Sequence, residues 1–265
     1  MGKLINEKAT VLSNENVGPR LWLLTVRCPQ VAAAVRPGQF VHMLVPGMAD
    51  HMLRRPFSVY RTDVAAGTMD ILYQVVGYGT DHMTALPVGT ECEFIGSIGR
   101  GWEVPEGARK VLLVAGGVGA APLFMLTQQC VERGLDVTVV LGAQTKDALV
   151  LRPAYAEVLG EEPRCATDDG TYGRAGFCTS LVEEALAEAA AAGEPYDYLA
   201  VCGPLPLMRI VAGQAKEAGV FAQVSMEKRM ACGIGACLGC IVDTVDGNRR
   251  ACVDGPIFDA QEVVW

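Results

Sequence analysis

The chain has 265 residues, 51% hydrophobic and 20% charged, so it can bury a large core and has room for two domains and a small appendage. Its formal net charge of −8 argues against nucleic acid or anionic membrane as a partner, because both select basic surfaces. Six of the ten cysteines (Cys28, Cys92, Cys130, Cys165, Cys178, Cys202) stand singly among apolar residues, the habit of buried reduced thiols rather than of a secreted disulfide scaffold.

The first residues, Met1-Gly2-Lys3-Leu4-Ile5-Asn6-Glu7-Lys8, contain no apolar signal core, which points to the cytoplasm. Period-two patterning then predicts strands over 9–13, 21–27, 40–45, 57–62, 69–76 and 91–95, punctuated by Gly, Pro, Asn and Asp. Six short strands with almost no helical period predict a small antiparallel β-barrel over 1–105.

The grammar changes near 105–108. A continuous apolar strand is predicted over 110–115, a turn over 116–122 and a helix to Gly134. Strands over 136–142, 198–202 and 221–226 alternate with helices over 181–192 and after Pro206. That alternation means a doubly wound parallel sheet over 106–226. Residues 111–131 are uncharged and about as long as a membrane span. Gly116, Gly117, Gly119 and Pro122, with the polar run Thr127, Gln128 and Gln129, read better as strand, turn and helix.

Several motifs carry chemistry. Arg54-Arg55-Pro56-Phe57-Ser58 puts fixed guanidinium donors and a stiffened turn on one strand, either a pyrophosphate-binding strand or ordinary basic surface. Gly77-Tyr78-Gly79-Thr80 leads into a short helical pattern, with Gly79 and Thr80 as a threonine-capped helix start or a plain turn. Ala115-Gly116-Gly117-Val118-Gly119-Ala120-Ala121-Pro122 follows a strand and opens a helix, with Pro122 where a dinucleotide fingerprint has its third glycine. Cys202-Gly203-Pro204 ends another parallel strand. At the ends of two strands of one sheet, these two turns favour a nucleotide over simple strand-to-helix connections.

The remainder, 227–265, contains Cys232, Cys237 and Cys240 spaced C-x4-C-x2-C, then Cys252. This is the plant-ferredoxin spacing for a [2Fe–2S] cluster. Gly233, Gly235 and Gly239 suit a backbone that must turn sharply around the cluster's sulfurs. A structural zinc site would show C-x2-C pairs on both halves, and here the second half is a single cysteine.

In this order, R-P-F-S, G-x-G-T, A-G-G-x-G-x-x-P and C-G-P resemble the ferredoxin–NADP reductase superfamily. With C-G-I-G-A-C-L-G-C and the later Cys252-Val253-Asp254-Gly255-Pro256, the whole chain looks like the electron-transfer subunits of NAD-dependent (class 1B) dihydroorotate dehydrogenases. The resemblance implies that Arg55, Pro56, Phe57, Ser58, Leu72, Tyr73, Gln74, Gly79 and Thr80 contact FAD. It implies that Cys232, Cys237, Cys240 and Cys252 ligate a [2Fe–2S] cluster; the two turn motifs then mark Gly116, Gly117, Gly119, Pro122, Cys202, Gly203 and Pro204 as the place where NAD(H) docks. It further implies an FMN-containing catalytic partner, two copies of each subunit in a heterotetramer, and a role in pyrimidine biosynthesis, with no catalytic side chain in this chain.

The chain departs from the family pattern at Gly96-Ser97-Ile98-Gly99 and at Gln74. The alternatives are a flavin and [2Fe–2S] reductase subunit of a ferredoxin-linked transhydrogenase or hydrogenase, and a metal-binding regulator with a degenerate nucleotide fold. Ile257, Phe258 and Trp265 either form an interface beside the cluster or fold back onto the chain's own core.

Overall fold

The computed structural model describes residues 4–48 and 50–265; the reading of Met1–Lys3 as part of a start without a signal core lies outside them. The chain divides into two compact units. One comprises Met1–Gly101, Met226–Asp243 and Gly247–Ile257; the other comprises Trp102–Ser225, Thr244–Asp246 and Phe258–Trp265.

The first unit contains β1 (Ile5–Gly18), β2 (Leu21–Arg27), α1 (Pro29–Ala34), β3 (Phe40–Leu44), β4 (Arg55–Ser58), β5 (Arg61–Asp63), β6 (Thr68–Gln74), α2 (Tyr78–Met83) and β7 (Glu91–Ile98). Its antiparallel sheet runs β4-β3-β7-β1-β2-β6-β5. The two edge strands, β4 and β5, are separated in sequence only by Val59 and Tyr60. Three peptide steps span roughly 10 Å at most, so the sheet must curl until its edges nearly meet. That makes the expected barrel, with a seam where one long strand was predicted over 57–62. Leu24, Met43, Met69, Ile71 and Phe94 are fully buried in this unit.

Helix α1 escaped the sequence reading because its cap is remote. The carboxylate of Glu7, on β1, accepts hydrogen bonds from the amides of Gln30 at 3.1 Å and Val31 at 2.8 Å. These are two of the amides that a helix start leaves without partners.

The second unit is strand–helix alternation: β8 (Lys110–Gly116), α3 (Ala120–Glu132), β9 (Asp136–Ala143), α4 (Arg152–Leu159), β10 (Arg164–Thr167), β11 (Arg174–Ala175), α5 (Thr179–Ala191), β12 (Tyr198–Cys202), α6 (Leu205–Glu217) and β13 (Phe221–Ser225). The C-terminal strands are β14 (Ile241–Thr244), β15 (Gly247–Arg250) and β16 (Ile257–Asp259). The larger sheet runs β11-β10-β9-β8-β12-β13-β16, and β8 pairs in parallel with both β9 and β12. From β8 the chain winds one way through β9 and β10, then crosses to β12 and β13. The point of reversal therefore lies between β8 and β12, where doubly wound sheets open a ligand crevice.

The central strand β8 reads Val111-Leu112-Leu113-Val114-Ala115 and is buried throughout, as a strand covered on both faces must be. The Asp197 carboxylate fixes its start by accepting the amides of Arg109 (2.7 Å) and Lys110 (3.0 Å), which hold that carboxyl below the usual range. Strand β10 was missed because four residues, Arg-Cys-Ala-Thr, carry no readable period. Residues 111–131 split into β8, a 3-10 turn (Gly117–Gly119) and α3, and among the described residues no helix is long and apolar enough to cross a membrane.

Candidate cofactor and cluster sites

At the barrel seam two candidate flavin segments face open edges. β4 is an edge strand, and the pairing of β6 with β5 stops at Asp70, so residues 71–74 pair only with β2. The two arginines at the entry to β4 have different tasks. Arg54 turns inward, bonding the Glu93 carboxylate and, at 3.0 Å, the Glu93 carbonyl. Arg55 lies against Gly79 instead: a Cβ on Gly79 would stand 2.6 Å from its Nε. The R-P-F-S motif at 55–58 and the G-Y-G-T motif at 77–80 thus meet, with a guanidinium beside the start of α2.

Two details correct the sequence reading. The N-cap of α2 is Gly77, not Thr80. Thr80 lies a turn inside, and its hydroxyl accepts the amides of Val76 (2.9 Å) and Gly77 (3.2 Å), which shapes the loop rather than ending it. Leu72 and Tyr73 are buried, and the Tyr73 hydroxyl bonds Asn14 Oδ1 at 3.1 Å while burial pushes its pKa up to about 12. Of Leu72, Tyr73 and Gln74, only Gln74 is exposed, so this stretch offers a ligand mainly backbone. Pro56, Phe57 and Ser58 are half-buried, with the Phe57 ring edge-on to Tyr73 at 6.1 Å.

In the second unit the turns after β8 and β12 pack on each other. A Cβ on Gly119 would stand 2.5 Å from the Cys202 carbonyl oxygen, and one on Gly116 would stand 3.0 Å from Pro204 Cδ. Gly119 is thus required by the protein's own backbone at the sheet's reversal point, and Gly116 makes room for the side chains of Pro204 and Leu207. Gly117, at φ +55°, has open space around it. Pro122 is buried in the first turn of α3, and its carbonyl accepts the Trp102 indole N–H at 3.1 Å.

The four loop cysteines stand as two pairs. Cys232 Sγ accepts the amides of Ile234 (3.5 Å) and Cys237 (3.4 Å), and Cys237 Sγ accepts the amide of Gly239 (3.4 Å). Burial pushes the Cys232 thiol up, but these amides outweigh it and bring it down to about 6, the direction a thiolate ligand needs. Cys240 and Cys252 are both buried, with their sulfurs 3.4 Å apart. They meet because β14 and β15 form a two-stranded sheet between them and the Ala251 amide bonds the Cys240 carbonyl at 2.9 Å. Burial first, then the neighbouring Cys240 sulfur, pushes Cys252 up to about 12. A two-iron cluster needs two thiolates on each iron, and two pairs fit that donor set.

Gly233 and Gly235 have φ of +66° and +85°, as a sharply turning loop requires. The third left-handed position is Leu238 at φ +59° rather than Gly239. Arg250 braces the loop from behind: its Nη1 donates to the Gly235 carbonyl at 3.3 Å and its Nε to the Asp254 carboxylate at 3.3 Å.

Of the two readings left open for the C-terminal apolar residues, folding back holds for Ile257 and Phe258, which are buried, while Trp265 stays partly exposed with its indole N–H donating to the Ala260 carbonyl at 3.2 Å; the exposed apolar side chains beside the cysteines are Ile234 and Leu238. A residue the sequence did not single out is His42, on β3, fully buried with its ring against Gly233. Burial and then the Arg54 charge lower its pKa to about 4. The backbone of Arg54 and Cys232 lies close enough to offset part of this, though neither ring nitrogen makes a hydrogen bond. No motif marks a lone histidine in an apolar strand.

A curled antiparallel sheet, a doubly wound sheet and an appended cysteine loop define an oxidoreductase of ferredoxin-reductase type. A ferredoxin reductase in carbazole 1,9a-dioxygenase has the same fold (TM-score 0.67, 20% identity, 82% of this chain and 67% of that one). A structure reported under flavin-based electron bifurcation, the NADH-dependent reduced ferredoxin-NADP oxidoreductase, is nearer at TM-score 0.85 and 30% identity over 97% of this chain and 89% of that one. The iron-sulfur cluster binding domain of dihydroorotate dehydrogenase B matches residues 227–264, and the oxidoreductase NAD-binding domain matches 113–213. The dihydroorotate dehydrogenase B (NAD(+)) electron transfer subunit of Geobacillus thermodenitrificans is 37% identical over 97% of this chain and 98% of its own length. That of Desulforamulus reducens is 35% identical over the full length of both. The chain belongs to the family of dihydroorotate dehydrogenase B electron transfer subunits.

Proposed function

We propose that this chain carries electrons between NADH and an FMN-containing dihydroorotate dehydrogenase catalytic subunit, in a cytoplasmic heterotetramer of two copies of each. Membership of the family makes it an NAD-linked electron-transfer subunit of pyrimidine biosynthesis, with FAD, a [2Fe–2S] cluster and NAD(H) as its cofactors. The observation that carries the proposal is the two thiol pairs, closed by the β14–β15 strands. When bound, FAD exchanges a hydride, two electrons at once, with the nicotinamide, and the cluster carries electrons singly.

The protein's residues hold and orient. Residues 1–105 form the flavin domain, where Arg55 and Gly79 seat the diphosphate, Pro56, Phe57 and Ser58 line one side of the seam, and Leu72, Tyr73 and Gln74 face it with backbone; Thr80 shapes the loop. Residues 106–226 form the nucleotide domain. There Gly117 lets the NAD diphosphate approach, while Gly116, Gly119 and Pro122 hold the turn against Cys202, Gly203 and Pro204. Residues 227–265 carry the cluster, Cys232 and Cys237 serving one iron and Cys240 and Cys252 the other. Ile234 and Leu238 suit the core of a partner interface, since apolar side chains exposed beside the cysteines are what such a core requires. The six cysteines outside the cluster set, single and in no disulfide, accord with the cytoplasm.

This reading assigns no side chain of the chain as a base for dihydroorotate. Expressed alone, it should reduce dyes with NADH yet leave dihydroorotate untouched; adding an FMN-containing partner should restore orotate formation with NAD⁺. Turnover of dihydroorotate by the isolated chain would refute the half-enzyme reading. The 30% identity to the ferredoxin-NADP oxidoreductase chain supports a second reading, delivery to a ferredoxin-linked partner. Ferredoxin reduction without orotate formation in the same mixing experiment would select it.

Cofactor preference follows from the end of β9. A 2′-phosphate needs an arginine or clustered cations. Here Lys146 stands beside Asp147, with its Nζ 5.9 Å from the centre of the Tyr172 ring. Arg152 is already paired with Glu162 at 2.7 Å. NADH should therefore exceed NADPH in kcat/KM; equal values would contradict the assignment.

A further inference from the structure

Among the described residues only four buried side-chain polar atoms lack a hydrogen-bond partner, and two of them are Nδ1 and Nε2 of His42. Buried polar groups are almost always satisfied, and a neutral imidazole always carries one N–H. This ring is fully buried in β3, so water does not satisfy it from outside. Its place is specific. A Cβ on Gly233 would stand 2.5 Å from His42 Nδ1, so the residue following Cys232 has left its side-chain space to the imidazole, with Nδ1 foremost. On the other side His42 pairs with Pro56 of β4, the candidate flavin strand. His42 thus sits on the strand next to the candidate flavin strand and turns its ring to the cysteine loop, with a donor that makes no hydrogen bond to protein.

We propose that His42 is a positioning residue for the cluster, its Nδ1–H donating to a sulfur of the bound [2Fe–2S] group while its ring braces Gly233. The inference rests on the four cysteines being the cluster's ligands. A donor to a cluster sulfur favours the reduced, more negative state and raises the reduction potential. Hydrogen-bond partners behind metal ligands are typically worth about 10–100-fold. Losing this one should shift the one-electron reduction equilibrium by about tenfold, equivalent to about 59 mV.

The experiment uses the full-length chain purified anaerobically, with iron and FAD content, the cluster's electron paramagnetic resonance spectrum and its midpoint potential as readouts. His42→Leu removes the donor at similar bulk, His42→Asn places an amide N–H near the position of Nδ1, and His42→Gln places it near that of Nε2. Expected are wild-type FAD and iron in all three, a more negative potential in His42→Leu and His42→Gln, and a potential near wild type in His42→Asn. A wild-type potential and spectrum in His42→Leu would overturn the proposal. Should the leucine variant not retain FAD, the amides decide: a shift in His42→Gln alone supports it, and the same potential in both overturns it. A wild-type chain without iron would sink the cysteine assignment itself, an outcome distinct from a loaded cluster indifferent to His42.

Discussion

Cys240→Ser is expected to retain FAD and reduce dyes with NADH at close to the wild-type rate, yet lose its iron and its ability to drive orotate formation with the partner subunit. Cys240 is buried and its sulfur lies 3.4 Å from that of Cys252, so serine replaces one thiol of the inner pair with a harder, far less acidic hydroxyl. Removing a partner behind a metal ligand already costs about 10–100-fold in affinity or activity; removing a ligand should exceed the upper figure. Dye reduction survives because the hydride step precedes the cluster. Cys130→Ser, at a buried thiol in α3, is the control and should keep full iron. A Cys240→Ser protein with two irons per chain and undiminished orotate formation would remove Cys240 from the ligand set.

The second large effect is expected at the reversal point of the parallel sheet. Gly119→Ala puts a methyl 2.5 Å from the Cys202 carbonyl oxygen and 2.9 Å from Gly203 Cα. These are backbone atoms that cannot rotate away, so the turns after β8 and β12 must separate. Overpacking of this kind costs about 1–3 kcal/mol. A misplacement of roughly 1 Å in a positioned reactant can cost about 100-fold in rate. NADH-to-dye kcat/KM should fall by about that factor, with FAD and iron contents unchanged because the sites proposed for both belong to the other unit. Gly213→Ala makes the comparison. A Cβ there meets nothing within 4 Å, so the change should gain about 0.5–1 kcal/mol in the interior of α6 and leave NADH oxidation untouched. Full activity in Gly119→Ala would show that the contact between the two turns is not what shapes the nucleotide site.

The sequence by itself determined the architecture and the kind of electron carrier. Period-two strands and then continuous apolar strands follow directly from which faces are buried, and β2 and β12 fall on their predicted residues, 21–27 and 198–202. The cysteine spacing was equally legible, since a tight loop around a small inorganic core leaves few ways to arrange three thiolates. What the tertiary structure decided were relations between distant residues. Nothing local in 54–58 says that Arg54 is spent on Glu93 while Arg55 reaches Gly79, because both are arginines at the entry to one strand. Helix α1 is capped by a carboxylate more than twenty residues upstream, and β10 is too short to show a period. The glycines of this turn looked like space for a diphosphate, yet Gly119 is required by the Cys202–Gly203 backbone and Gly116 by the Pro204 and Leu207 side chains, contacts that exist only once β8 and β12 lie side by side. His42 is the extreme case. In sequence it is one polar residue in an apolar strand, and only the folded chain places its unpartnered ring against Gly233 of the cysteine loop.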